Sequence, residues 1–115
     1  MRRPSEATAR GRAAETAAAA FLTERGYRVL QRNLRLPGGE IDLVCLDGRT
    51  VVFVEVKSRA TATYGSALAA VDARKRARLR AVAADHAQIV APGLPLRFDV
   101  VTVEGGRITH HRGAF

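Results

Sequence analysis

Residues 40–57 read Glu40-Ile41-Asp42-Leu43-Val44-Cys45-Leu46-Asp47-Gly48-Arg49-Thr50-Val51-Val52-Phe53-Val54-Glu55-Val56-Lys57. Two apolar runs rich in β-branched residues flank Asp47-Gly48, a dipeptide that favours tight hairpin turns. The stretch therefore predicts an antiparallel hairpin, Glu40–Leu46 against Thr50–Lys57. Side chains on a strand alternate faces, so Glu40, Asp42 and Val44 fall on one face and Ile41, Leu43 and Cys45 on the other. On the partner strand Val51, Phe53, Glu55 and Lys57 lie together, opposite Val52, Val54 and Val56. A two-residue loop at Asp47-Gly48 pairs Leu46 with Arg49 and sets Glu40 opposite Glu55; a four-residue loop sets Asp42 opposite Glu55. Either register gathers Glu40, Asp42, Glu55 and Lys57 on one face, and only a bulge or an odd loop would separate them.

Carboxylates so close repel one another, and burying them is costly unless a cation is present. A hard divalent ion such as magnesium suits the set, since it takes one or two carboxylates and keeps several waters; manganese shares the preference for oxygen. Such an ion can hold a phosphate oxygen and acidify a bound water. Lys57, two residues beyond Glu55, would orient that water or offset charge developing on phosphorus. The competing reading is a solvated sheet face on which Glu55 and Lys57 form a structural ion pair.

Outward from the hairpin, residues 5–25 are Ala-rich with Phe21 and Leu22 as larger anchors, and read as a helix stopped by Gly26. Tyr27–Leu34 suits a strand, and Pro37-Gly38-Gly39 a turn. Residues 58–65 read as a polar loop, residues 66–90 as a second helix, and Leu96–Val103 and Arg107–His111 as strands joined through Gly105-Gly106. The order is α-β-β-β-α-β-β, an α/β fold in which the second helix permits a parallel crossover and hence a mixed sheet flanked by helices. With 115 residues and 47% hydrophobic composition, the chain is expected to form a single domain over residues 1–115.

The first helix offers a further acid: Glu15, Ala18, Ala19 and Leu22 share an apolar stripe. Glu15 would reach toward the ion, or sit at the rim paired with Arg12. In the second helix Leu68, Val71, Lys75, Leu79, Val82, His86 and Ile89 form a stripe that Lys75 interrupts, with Arg74, Arg76, Arg78 and Arg80 on its flanks. Those arginines are candidates for backbone phosphates, with a solvated helix face and a snorkelling Lys75 as the alternative.

The chain carries 19 Lys+Arg against 11 Asp+Glu, a net charge of +8, which favours a polyanionic partner, above all nucleic acid. Lys57 and Lys75 are its only lysines. A single cysteine, Cys45, excludes an intramolecular disulfide and a Cys-based zinc cluster. No apolar run approaches the roughly 20 residues needed to span a bilayer, so the expectations are a cytoplasmic protein and no membrane partner. His110 and His111 are adjacent on a strand, point to opposite faces and cannot make a simple ligand pair. An aromatic content of 5% argues for backbone recognition over base stacking.

Gly11-Arg12-Ala13-Ala14-Glu15, Gly26-Tyr27, Gly39-Glu40-Ile41-Asp42-Leu43, Val52 through Arg59, Tyr64-Gly65, Ala70-Val71-Asp72 with Lys75, Arg97-Phe98-Asp99-Val100-Val101 and Ala114-Phe115 together resemble the YraN family of small bacterial proteins. That family is similar to PD-(D/E)xK nucleases and to archaeal Holliday junction resolvases. The resemblance implies a restriction-endonuclease-like core, metal-binding roles for Asp42 and Glu55, a catalytic Lys57 and an accessory acid at Glu15. Ile41 stands where the superfamily motif has proline.

Two functions are therefore in view. The first is a magnesium-dependent endonuclease on DNA, branched or single-stranded, met in recombination, repair or uptake. Asp42, Glu55, Lys57 and Glu15 would form its site and Arg59, Arg74, Lys75 and Arg78 its nucleic-acid contacts; a resolvase-like enzyme would favour a homodimer. The second is a nucleic-acid-binding or adaptor protein without cleavage.

Overall fold

A computed structural model describes residues 6–59 and 73–115. Its elements run α1 (Glu6–Glu24), β1 (Arg28–Leu36), β2 (Gly39–Asp47), β3 (Thr50–Arg59), α2 (Ala73–Val90), β4 (Leu96–Glu104) and β5 (Arg107–His111). This is the expected α-β-β-β-α-β-β order, a mixed sheet flanked by helices as in a nuclease-like α/β core. β1 to β4 each end one or two residues later than expected. Of the loop expected over residues 58–65, Ser58 and Arg59 belong to β3 and the rest lies outside the described residues. So do residues 66–72 of the second helix.

The five strands lie in chain order. β1–β2, β2–β3 and β4–β5 are antiparallel, whereas β3 and β4 are parallel from Val51↔Leu96 to Arg59↔Glu104. β3 is thus an interior strand covered on both faces, which explains its unbroken Val-Val-Phe-Val run. Val52 and Val54 pack with Ala18, Leu22, Leu43, Cys45 and Val101 beneath α1. Val51 and Phe53 pack with Leu34, Ile41, Val44, Leu79, Ala83 and Ala87 beneath α2. Phe53, Phe98 and Phe115 extend this second cluster as a stacked series, with ring centroids 5.2 and 5.6 Å apart.

Gly26 ends α1 as expected, with φ +91°. The Tyr27 N–H donates to the Leu22 carbonyl at 3.0 Å and the Gly26 N–H to the Thr23 carbonyl at 3.0 Å, the paired bonds of a Schellman cap. Tyr27 and Leu22 share the core cluster that completes it.

Three expectations need correction. The β2–β3 hairpin closes at Asp47↔Thr50, so its tip is Gly48-Arg49, with Gly48 at φ +60°, and not Asp47-Gly48. This is the register that sets Asp42 toward Glu55. The buried stripe of α2 is Leu79, Ala83 and Ala87, while Ile89 is 81% exposed; small alanines at four-residue spacing let the helix lie close on the sheet. Finally, Ile41 lies under α2 with Val44, whereas Leu43 and Cys45 lie under α1. Strict alternation would put Ile41 and Leu43 together, so the pleat slips at Asp42.

Candidate functional site

The slip coincides with a fork in the sheet. β2 and β3 are paired from Asp47↔Thr50 to Leu43↔Val54 and no further. Beyond that point β2 stays with β1 as far as Leu36↔Gly39, and β3 stays with β4 as far as Arg59↔Glu104. Gly39–Asp42 and Glu55–Arg59 therefore form the two arms of an opening between strands. Asp42 stands at its apex. Its Oδ2 accepts the Val56 N–H at 2.8 Å, the bond a backbone carbonyl of β2 would otherwise make. Strand N–H groups lie in the plane of the sheet, so the Asp42 carboxylate lies across the fork, beside the Glu55–Val56 peptide.

On the other arm Lys57 Nζ lies 3.9 Å from Glu55 Oε1, both side chains about one-quarter exposed. Alternation along β3 continues the line of Val51 and Phe53 through Glu55 and Lys57. The acids thus do not all share one sheet face: the pleat slips at Asp42, where β2 and β3 part.

Glu15 approaches the Asp42 side of the fork from α1, near enough to feel its charge. It lies 4.0 Å from Arg32 Nη2, not paired with Arg12, and lines a cleft with Gly11, Arg12, Asn33, Arg35 and Glu40. Burial holds its carboxyl above the usual range, and the negative charges of Asp42 and Glu40 add to this against Arg32 and an Asn33 hydrogen bond. The shift marks a carboxyl withdrawn from water first and set beside like charge second. Among the described residues no three acidic, His or Cys groups converge tightly enough to share one ion. The donor set fits a hard ion held by one or two carboxylates with its own waters.

Asn33 was missed by the sequence reading. It is the one non-glycine with positive φ among the described residues, at +55°, and it faces Asp42: the β1–β2 ladder records Arg32↔Leu43 and Leu34↔Ile41 but skips the pair between them. Asparagine tolerates this left-handed backbone, but nothing marks the position in a strand-like run.

The nucleic-acid candidates fall into two groups. Arg74 and Arg78 sit on the exposed side of α2, beside Ala77 and Ala81. The side chains of Arg59 and Lys75 lie outside the described residues. Cys45 is a buried core residue as expected, though its neighbour is Leu43 and not Ile41.

A second polar cluster is centred on Asp99 of β4, which pairs with Val54 of β3. Asp99 is fully buried and accepts from Arg97, from the Gly113 N–H at 3.0 Å and from His110 Nε2 at 2.7 Å. Arg97 also reaches Tyr27 at 2.6 Å and Asp47 at 3.1 Å. These bonds tie β4, β5 and the start of β1 together. His111 instead meets Thr102 at 3.3 Å, so the two histidines do diverge.

The chain is similar to many bacterial proteins over most of its length. It is 45% identical over 108 residues to a UPF0102 protein of Dechloromonas aromatica, covering 94% of this chain and 89% of that one. It is 48% identical to one from Moorella thermoacetica, covering 82% and 79%, and 50% identical to one from Symbiobacterium thermophilum, covering 84% and 82%. Residues 14–103, which hold the fork and Glu15, match the family model described as uncharacterised protein family UPF0102. The chain belongs to that family, the YraN family its motifs resemble.

Proposed function

We propose that the fork is the site of a divalent-metal-dependent endonuclease that hydrolyses phosphodiester bonds of DNA. The observation that carries this is the Asp42 carboxylate lying across the parted strands at the Glu55–Val56 peptide, with Lys57 3.9 Å from Glu55. Asp42 and Glu55 would hold magnesium or manganese, which when bound neutralises phosphate charge and acidifies a coordinated water. Lys57 is near enough to Glu55 to stand beside that water, and its ammonium offsets charge as the phosphorus becomes five-coordinate. The attacking water gives up a proton as its oxygen bonds to phosphorus, the bond from phosphorus to the leaving deoxyribose oxygen breaks, and that oxygen takes up a proton. Glu15 bounds the site from α1. Arg12 and Arg35 in the adjoining cleft, and Arg74 and Arg78 on α2, supply cations for backbone phosphates, in keeping with the net charge of +8.

The competing reading is a DNA-binding adaptor, favoured by the Glu55–Lys57 ion pair, which an inert site would also make. Magnesium-dependent cleavage of a branched-DNA panel separates them. Glu55→Ala and Lys57→Ala should abolish cleavage with DNA binding largely kept. Cleavage unchanged in both variants would remove these residues from the chemistry.

A further inference from the structure

Asn33 has no role in the mechanism above, yet its conformation and contacts are the most specific at the site. Its amide is assigned with Nδ2 toward the acids, because the opposite orientation sets its oxygen against two acceptors. Nδ2 then donates to Glu15 Oε1 at 2.9 Å and to Glu40 Oε1 at 2.8 Å. One amide nitrogen thus joins carboxylates from α1 and β2 that would otherwise repel across the cleft. The backbone serves this contact. Asn33 is opposite Asp42, where the pleat slips, and its φ of +55° costs about 1 kcal/mol or more for a residue with a Cβ. Glycine would take that conformation freely. A residue needed only for the turn has no use for the amide.

We propose that Asn33 is a positioning residue that fixes Glu15 and Glu40 as one unit at the rim of the metal site. The proposal deepens the nuclease reading and rests on it for the metal, but the coupling of the acids through Asn33 is a property of the metal-free chain. Outer partners that orient ligands typically change metal affinity by about 10–100-fold. Asn33 would act one step further out, through Glu15 and Glu40, so its effect should lie at or below the lower end of that range.

Asn33→Gly keeps the backbone and deletes the amide. Two measurements on the full chain test the idea. In metal-free thermal unfolding, Glu15→Gln should raise the melting temperature more in the Asn33→Gly background than in wild type, because repulsion from Glu40 is no longer bridged. In manganese titration, Asn33→Gly should bind several-fold, up to about ten-fold, more weakly than wild type while remaining folded. Equal effects of Glu15→Gln in both backgrounds would overturn the positioning role. If wild type binds no manganese but the unfolding data still show coupling, the metal reading fails and Asn33 remains the bridge between the two acids. Manganese affinity unchanged in a protein that does bind it would overturn the link to the metal site and leave Asn33 as a bridge between the two acids only.

Discussion

Asp42 accepts a hydrogen bond from the backbone N–H of Val56 at 2.8 Å, so a carboxylate takes the place of a β2 carbonyl at the point where two strands part. One side chain thereby serves the fold and faces the opening. The two duties separate by substitution. Asp42→Asn keeps an oxygen acceptor for Val56 and should change stability by less than about 1 kcal/mol, whereas Asp42→Ala orphans a part-buried donor and should cost about 1–3 kcal/mol. Both should abolish metal binding. Denaturant unfolding checks the first difference; equal loss of stability in the two variants would mean that the hydrogen bond is not what stabilises the fork.

Glu15 titrates above the ordinary carboxylate range because burial and the charges of Asp42 and Glu40 disfavour its ionised form. A carboxyl whose folded pKa exceeds its unfolded value favours folding while protonated, and that advantage is lost as pH rises from near the unfolded pKa, about 4.3. Without metal, Glu15→Gln should therefore raise the melting temperature at pH 7, and the gain should shrink below about pH 4. A loss of stability at pH 7 would show that Arg32 dominates Glu15.

Asp99 shifts the other way. Burial works to raise its pKa, but hydrogen bonds from Arg97, Gly113 and His110 outweigh it and hold the carboxyl below the usual value. Its folded pKa being the lower, the stabilisation is complete above the unfolded value, about 3.9, and is lost as pH falls through the folded one. Asp99→Ala removes the acceptor shared by Arg97, His110 and the Gly113 N–H and should cost about 1–3 kcal/mol at pH 7. Its stability should then fall less steeply than wild type below about pH 4, as followed by acid titration of the circular dichroism signal. An identical acid limb would remove Asp99 as its source.

Cys45 is pushed up to about 12, first by burial and then by the charge of Asp99. The thiolate is the reactive form, so a disulfide reagent should leave the folded protein unmodified and label it only on unfolding. Rapid labelling of the folded chain would mean that the core opens readily at β2.

The hairpin, the helix stop at Gly26 and the layered order were legible in sequence, because each rests on local chemistry: alternation, a glycine cap, a turn dipeptide. The register that matters was left between two choices, since the loop length that decides it depends on whether Asp47 pairs with Thr50. Asp42, Glu55 and Lys57 stood out as charges in apolar strands. Their placement did not, because alternation predicts a shared face where the pleat slips at Asp42 and the strands part. Asn33 and the partners of Asp99 were invisible for the same reason: a left-handed asparagine inside a strand and a buried aspartate beneath Arg97 depend on neighbours distant in the chain.

Calorimetric titration of manganese and magnesium into wild type and the Asp42→Ala/Glu55→Ala double variant, with branched DNA present, tests the central claim most directly. A metal-binding fork requires saturable binding in wild type that disappears in the double variant. Identical metal binding in both proteins, with DNA affinity indifferent to metal, would contradict it and leave a basic protein that holds DNA without cutting it.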